Sequence, residues 1–199
     1  MILKICGITN PEDAAAAIDG GATAIGFNFY PRSPRYIAPE QAAKIPSGAA
    51  RRVGVFVDES RERVEAIARI AGLDTAQLHG EEPETEYPTG IAVWKAARVN
   101  EEFDAEAYVD CSVEALVLDG PAGELYGGAG MTFDWERAAS MRQRIILAGG
   151  LDASNVAQAI AAAHPWGVDA CSRLESAPGR KDHQKMLAFL IAAKATLLP

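Results

Sequence analysis

The sequence predicts a single-domain (β/α)8 barrel, and three observations predict it. Runs of aliphatic and β-branched residues alternate with helix-like stretches along all 199 residues, as in strands joined in parallel through helices. The alternation repeats eight times, with short connections and no linker, and eight such units close a barrel rather than an open sheet. A doubly wound sheet would carry a glycine-rich fingerprint after its first strand, and none stands there.

Residues 2–6 form the first strand, stopped by Gly7. Alternation along it sends Lys4 and Cys6 to one face and Leu3 and Ile5 to the other. Asn10 as N-cap, Pro11 at N1 and the Gly20-Gly21 stop delimit a helix over residues 11–19. The second strand is 24–29, and the two prolines of Tyr30-Pro-Arg-Ser-Pro-Arg-Tyr36 make the following segment a loop. A short helix over 39–44 and a third strand over 52–57 precede a helix over 61–71, which has Ser60 as cap and Gly72 as stop.

The fourth strand, 75–79, ends in His79-Gly80, and 81–86 has room only for a short helix before Pro88. A fifth strand over 91–96 leads to a weak helix over 101–109. The sixth strand, 115–119, carries Asp119 at its end, followed by a glycine-rich loop over 120–130 and a helix over 134–140. Residues 145–148 make the seventh strand, running into Gly149-Gly150 and a clear helix over 152–163. Residues 167–171 are the eighth strand, and a helix over 182–194 closes the chain.

Composition narrows the function. An apolar content of 49% with 23% charged residues is that of an ordinary soluble globular protein. No segment approaches 18 uninterrupted apolar residues and no basic leader is seen, so a cytoplasmic protein without membrane contact is expected. A net charge of −8 with no basic stripe argues against nucleic acid. An anionic small molecule stays possible, because backbone N–H groups bind phosphate without excess lysine. The three cysteines, Cys6, Cys111 and Cys171, are odd in number and widely spaced, which fits free thiols. No His, Cys or Asp cluster has metal-ligand spacing, so no metal is expected. Monomer and homodimer are both compatible with the sequence.

Polar residues and glycines gather at the carboxyl ends of the strands, where barrels of this class react. They are Cys6, Asn28, His79, Asp119, Gly149-Gly150, Asp169 and Cys171. Gly149-Gly150 and Cys171-Ser172-Arg173 occupy the usual phosphate position after strands seven and eight, although a plain strand-to-helix turn would also explain the glycines. Cys6 suits a base if Lys4 lowers its pKa, and equally an inert buried thiol. Asp119 suits an acid or a loop cap. His79 reads as a substrate contact or a structural histidine, and Arg35 as a bidentate carboxylate ligand or a solvated loop residue.

Ordered motifs span nearly the whole chain: Lys4-Ile-Cys-Gly-Ile-Thr9, Gly26-Phe-Asn-Phe-Tyr-Pro-Arg-Ser-Pro-Arg-Tyr-Ile37, Val53-Gly-Val-Phe-Val57, Gln77-Leu-His-Gly80, Leu118-Asp119, Tyr126-Gly-Gly-Ala-Gly-Met-Thr-Phe-Asp-Trp135, Ala148-Gly-Gly-Leu151 and Ser176-Ala-Pro-Gly-Arg-Lys-Asp182. Together they closely resemble phosphoribosylanthranilate isomerase, the tryptophan-pathway family of cofactor-free (β/α)8 barrels. The resemblance implies an Amadori rearrangement of an aminoaldose phosphate to a 1-amino-1-deoxyketose phosphate. By motif, Cys6 matches the general base and Asp119 the general acid, Arg35 matches the ligand of the anthranilate carboxylate, and Gly149 and Gly150 with the loop after strand eight match the phosphate site. Lys4, Gly7, Gln77, His79, Asp169, Cys171, Ser172 and Arg173 fall in or beside these motifs and are expected to contact the phosphosugar substrate.

Two departures stand out. Where the family commonly reads Asp-Val-Ser-Ser-Gly-Val-Glu, this chain reads Asp169-Ala-Cys-Ser-Arg-Leu-Glu175. Arg173 in place of glycine means that this backbone does not need φ > 0 or that the loop is rearranged, with the side chain on the phosphate or out in solvent. Cys171 in place of serine raises the prospect of a disulfide with Cys6 across neighbouring strands, unless the two thiols face different layers. The rival readings are another phosphosugar barrel, such as the histidine-pathway aminoaldose isomerase with its paired aspartates, and a catalytically inactive barrel kept as a binding module.

Overall fold

The computed structural model describes residues 1–100, 102–120, 135–139 and 141–197. Eight parallel strands close into a barrel in chain order. They are β1 (Ile2–Ile5), β2 (Ala24–Asn28), β3 (Arg51–Phe56), β4 (Thr75–Leu78), β5 (Ala92–Arg98), β6 (Ala115–Asp119), β7 (Ile145–Leu147) and β8 (Gly167–Ala170). The seam is the β1–β8 pair, in register from Ile2↔Gly167 to Ile5↔Ala170. Outside lie α1 (Pro11–Asp19), α2 (Pro39–Ala42), α3 (Arg61–Ala71), α4 (Glu136–Ala139), α5 (Val156–Ala163) and α6 (His183–Ala195). Among the described residues no helix is long and apolar enough to cross a membrane.

The expected caps are present because each is a local bond. Asn10 Oδ1 accepts from the Asp13 N–H at 2.8 Å, Ser60 Oγ accepts from the Arg63 N–H at 3.3 Å, and Gly72 leaves α3 at φ 61°.

The departures have physical causes. The helix expected over 152–163 begins only at Val156. Before it, Asp152 Oδ1 accepts from the Ser154 N–H at 2.8 Å while the Asp152 N–H donates to Asn155 Oδ1 at 2.9 Å, a side-chain-closed turn that competes with the helix. The weak helix over 101–109 contracts to one 3₁₀ turn, Glu106–Tyr108, and 81–86 to another, Glu84–Glu86. The glycine-rich loop and the start of the helix expected at 134 fall largely outside the described residues. An antiparallel hairpin, β9 (Glu175–Ala177) with β10 (Arg180–Lys181), precedes α6 where the sequence shows no strand pattern. Strands of three and two residues are too short to show alternation.

Two apolar clusters hold these layers. Leu3, Ile5, Ile25, Phe27, Leu116 and Leu118 pack outward from the strands against Val64 and Ile67 of α3 and Phe189 and Leu190 of α6. Inside the barrel Ala24, Val53, Trp94, Ala115, Val117 and Ile146 form a second cluster, with Ile2 and Trp166 against it. Trp94 is fully buried there, and its Nε1–H donates to Glu114 at 2.7 Å. The interior is therefore apolar towards the strands' amino ends and turns polar towards their carboxyl ends, at Lys4, Gln77 and Asp169.

Candidate active site

A cleft of about 760 Å³, measured out to its open mouth, sits over the carboxyl ends of the strands. Cys6, Arg35, Gln77, His79, Asp119, Gly149, Gly150, Asp169, Cys171, Ser172 and Arg173 all line it. Inward alternation explains the set: Val55 and Val57, Gln77 and His79, and Asp169 and Cys171 each lie two apart on or just past one strand, and all six face the cleft. Asn28, which the sequence places at the rim without a role, lines the cleft as well. So do Tyr30, Ser33 and Leu151, whose loop positions carry no periodic signal that could have marked them.

Lys4 is not on the cleft wall. It is fully buried beneath it, and its ammonium donates to Asp169 Oδ2 at 2.6 Å across the seam. Burial would lower its pKa, but Asp169 and Cys6 outweigh burial and hold Lys4 above the ordinary lysine range. Burial pushes the Asp169 carboxyl up to about 7 against the pull of Lys4. Gly26 makes the room: a Cβ there would stand 2.9 Å from Cys6 Sγ and 3.1 Å from Lys4 Nζ.

Cys6 and Cys171 occupy the next paired positions past the β1–β8 register, and the Cys6 N–H donates to Ala170 O at 2.9 Å. Both face the cleft as free thiols, so they share a layer. A hydrogen bond from the Cys171 thiol, with help from the Lys4 ammonium, holds Cys6 well below the usual thiol range despite its burial. The same bond, together with burial, pushes Cys171 up. One thiolate is favoured, and it is Cys6.

Asp119, at the end of β6, faces Cys6 across the cleft. Burial raises its pKa, although His79 opposes the rise with Nε2 at 3.5 Å from Oδ2. Burial also lowers the His79 pKa, against the pull of Asp119. Gly149 has φ +79°, and a Cβ there would come within 2.6 Å of Asp119 Oδ1 and 2.5 Å of the Gly120 nitrogen. The glycine is thus required by the close approach of the carboxyl group as well as by the turn. Gly7 is needed in the same way, because at φ +74° its Cβ would meet Arg35 Cδ at 2.8 Å and Cys171 Sγ at 3.0 Å.

Arg35 does line the cleft, but two of its five N–H donors are already taken. Nε and Nη2 each donate to Glu175 at 2.8 Å. Arg173 sits in a 3₁₀ turn, Ser172–Leu174, with no positive φ, so the arginine needs no glycine-like backbone. Its guanidinium reaches Asp152 at 2.9 Å while the side chain lines the cleft and stays 44% exposed. Gln77 Oε1 and Asp169 Oδ1 are buried acceptors without a protein partner, at the cleft floor where a hydroxyl-rich ligand would meet them. Among the described residues no group of three or more His, Cys, Asp or Glu is placed to hold a metal ion.

A closed parallel barrel with a polar, glycine-walled cleft at its carboxyl rim has the architecture of a (β/α)8 enzyme. The model of the N-(5'-phosphoribosyl)anthranilate (PRA) isomerase family matches residues 3–192. The chain is 66% identical over 197 residues to the N-(5'-phosphoribosyl)anthranilate isomerase of Solibacter usitatus, covering 99% of each. The crystal structure of phosphoribosyl anthranilate isomerase from Thermotoga maritima superposes with a TM-score of 0.90 at 40% identity, covering 98% of this chain and 100% of the other. A phosphoribosyl anthranilate isomerase in complex with reduced 1-(o-carboxyphenylamino)-1-deoxyribulose 5-phosphate superposes at 0.84 with 38% identity, again over 98% and 100%. The chain belongs to the N-(5'-phosphoribosyl)anthranilate isomerase family.

Proposed function

We propose that this barrel converts N-(5'-phosphoribosyl)anthranilate to 1-(2-carboxyphenylamino)-1-deoxyribulose 5-phosphate, with Cys6 as base and Asp119 as acid. The observation that carries the residue roles is the opposed pair: a thiol held low and a carboxyl held high across one cleft. Asp119 protonates the ribose ring oxygen. The C1′–O bond then breaks as the nitrogen lone pair forms the C1′=N iminium. The Cys6 thiolate removes the C2′ proton, and its bonding electrons form the C1′=C2′ enamine. Loss of the enol proton and protonation at C1′ give the ketose.

The rest of the cleft supports binding. Gly149, Gly150, Ser172 and Arg173 are grouped where a phosphate is usually held in such barrels, and the unpartnered acceptors of Gln77 and Asp169 suit sugar hydroxyls. Arg35 supplies a cation for the anthranilate carboxylate. Lys4 acts from below as the charge that keeps Cys6 ionised and Asp169 in place.

The test is direct. The purified protein should consume fluorescent phosphoribosylanthranilate, and Cys6→Ser should lower kcat by about 10² to 10⁴-fold. The same variant should bind a reduced product analogue nearly as well as the parent. An inactive parent would overturn the reading, and full activity in Cys6→Ser would remove the thiol from the mechanism.

A further inference from the structure

The β9–β10 hairpin is an addition to the eight-unit barrel, and it carries two buried charges towards the mouth of the cleft. Glu175 opens β9 and Lys181 closes β10, paired with each other in register. Their side chains are 5% and 0% exposed. Buried charges of this kind persist only when fully partnered, and here the partners lead to the cleft. Glu175 Oε1 accepts from Arg35 Nε at 2.8 Å, from Lys181 Nζ at 3.0 Å and from the Gly179 N–H at 3.4 Å, while Oε2 accepts from Arg35 Nη2 at 2.8 Å. Lys181 Nζ also donates to Cys171 O at 3.2 Å.

The hairpin tip locks the loop that carries Arg35. Gly179, at φ +77°, has no space for a side chain against Pro34 O, where a Cβ would stand at 3.3 Å. Its carbonyl accepts from the Thr9 hydroxyl at 2.6 Å, which ties the tip to the segment after β1. The loop around Arg35 thus passes close to the hairpin tip at Pro34 and is held at its guanidinium by Glu175.

The accessible cation of this cluster also points at the cleft. Two cations, Arg35 and Lys181, share one carboxylate, Glu175, and Lys181 also reaches Cys171 Sγ at 3.7 Å. Lys181 is sealed from solvent, whereas Arg35 lines the cleft with three N–H donors beyond the two given to Glu175. An anionic ligand in the cleft can therefore reach this cluster only through Arg35.

We propose that Glu175 is a positioning residue for substrate recognition: by clamping one edge of Arg35 it fixes the other edge to receive the carboxylate on the substrate's aromatic ring. The proposal rests on the reading of Arg35 as the carboxylate contact. A planar guanidinium held bidentately on one side has its remaining donors set in direction before ligand arrives, so little rotamer freedom is lost on binding. Glu175 touches no reacting atom and acts through Arg35.

The experiment compares two ligands by calorimetric titration: reduced 1-(o-carboxyphenylamino)-1-deoxyribulose 5-phosphate, and its counterpart made from aniline, which lacks the carboxylate. Arg35→Ala should weaken the first by tenfold or more and leave the second within about twofold, since charge-assisted bonds supply the difference. Glu175→Gln should show the same selectivity, with about a tenfold loss for the carboxylate ligand alone and a raised KM at nearly unchanged kcat. Adding Glu175→Gln to Arg35→Ala should cost nothing further. Glu175→Asp keeps the charge that Lys181 needs but shortens the clamp, so it should behave like Glu175→Gln in a soundly folded protein. Equal losses for both ligands in the two Glu175 variants would show a merely structural residue and overturn the proposal, as would no loss for either. If Arg35→Ala itself fails to discriminate between the ligands, the reading of Arg35 falls and the positioning role falls with it.

Discussion

Cys6 lies against a second thiol and a buried ammonium, and each contributes to the charge it carries. The Cys171 thiol is the largest influence holding Cys6 low, so its removal should raise the Cys6 pKa. In Cys171→Ala the acid limb of the kcat/KM profile should move to higher pH, and alkylation of Cys6 by iodoacetamide at fixed neutral pH should slow. An acid limb that stays in place would mean that the ammonium groups of Lys4 and Lys181 set the thiolate. The alkaline limb, which the proposed acid Asp119 would set, should not move. Alternation along the first strand is enough by itself to put Lys4 and Cys6 on one face. It cannot say that Lys4 lies under the cleft rather than on its wall, because that depends on Asp169, 165 positions away. The carboxylate that clamps Arg35 is hidden from the sequence for the same reason, as Glu175 is 140 positions further along.

The hairpin and the helices beside it are joined through Asp13 in α1. Its Oδ2 accepts from the Lys181 N–H at 2.9 Å and from Asn10 Nδ2 at 2.8 Å, while Oδ1 meets His183 Nε2 at 2.8 Å. Burial alone would raise this carboxyl, but the Lys181 N–H, His183 and Asn10 together hold it below the usual carboxylate range. A folded pKa below the unfolded one gives stability that is present above the unfolded value, near ~4, and lost as pH falls through the folded value. Asp13→Asn should therefore cost about 1–2 kcal/mol in urea unfolding at pH 7, and the gap from the parent should narrow below about pH 4. A gap independent of pH would show that the charge is not what matters. Elements built on contacts between near neighbours, such as the capped helices α1 and α3, are legible in the sequence. The hairpin is not, since its strands are held by Asp13, Thr9 and Arg35 rather than by any pattern of their own.

Across the whole molecule the barrel closes on a buried ion pair, Lys4 with Asp169, in register across β1 and β8. Removing one partner of such a pair leaves a bare charge in an apolar interior, whereas replacing both by hydrocarbon is often neutral or better. Asp169→Asn should lose about 3–5 kcal/mol of stability by chemical denaturation. The double variant Lys4→Met with Asp169→Leu should recover most of it while remaining inactive, because Cys6 then lacks its cation. A stable, active double variant would show that the pair serves neither closure nor catalysis. The count of eight strands is legible from hydropathy alone, but the chemistry of the joint between first and last is not.

That joint also sets an order of events. As the chain leaves the ribosome, Lys4 appears early and its counter-charge 165 residues later. Until β8 docks, sealing β1 would leave the Lys4 ammonium buried without its counter-charge, which is costly. The counter-charge of Lys4 and the thiol beside Cys6 both arrive with β8, so the setting proposed for Cys6 is complete only when the final strand pairs with the first.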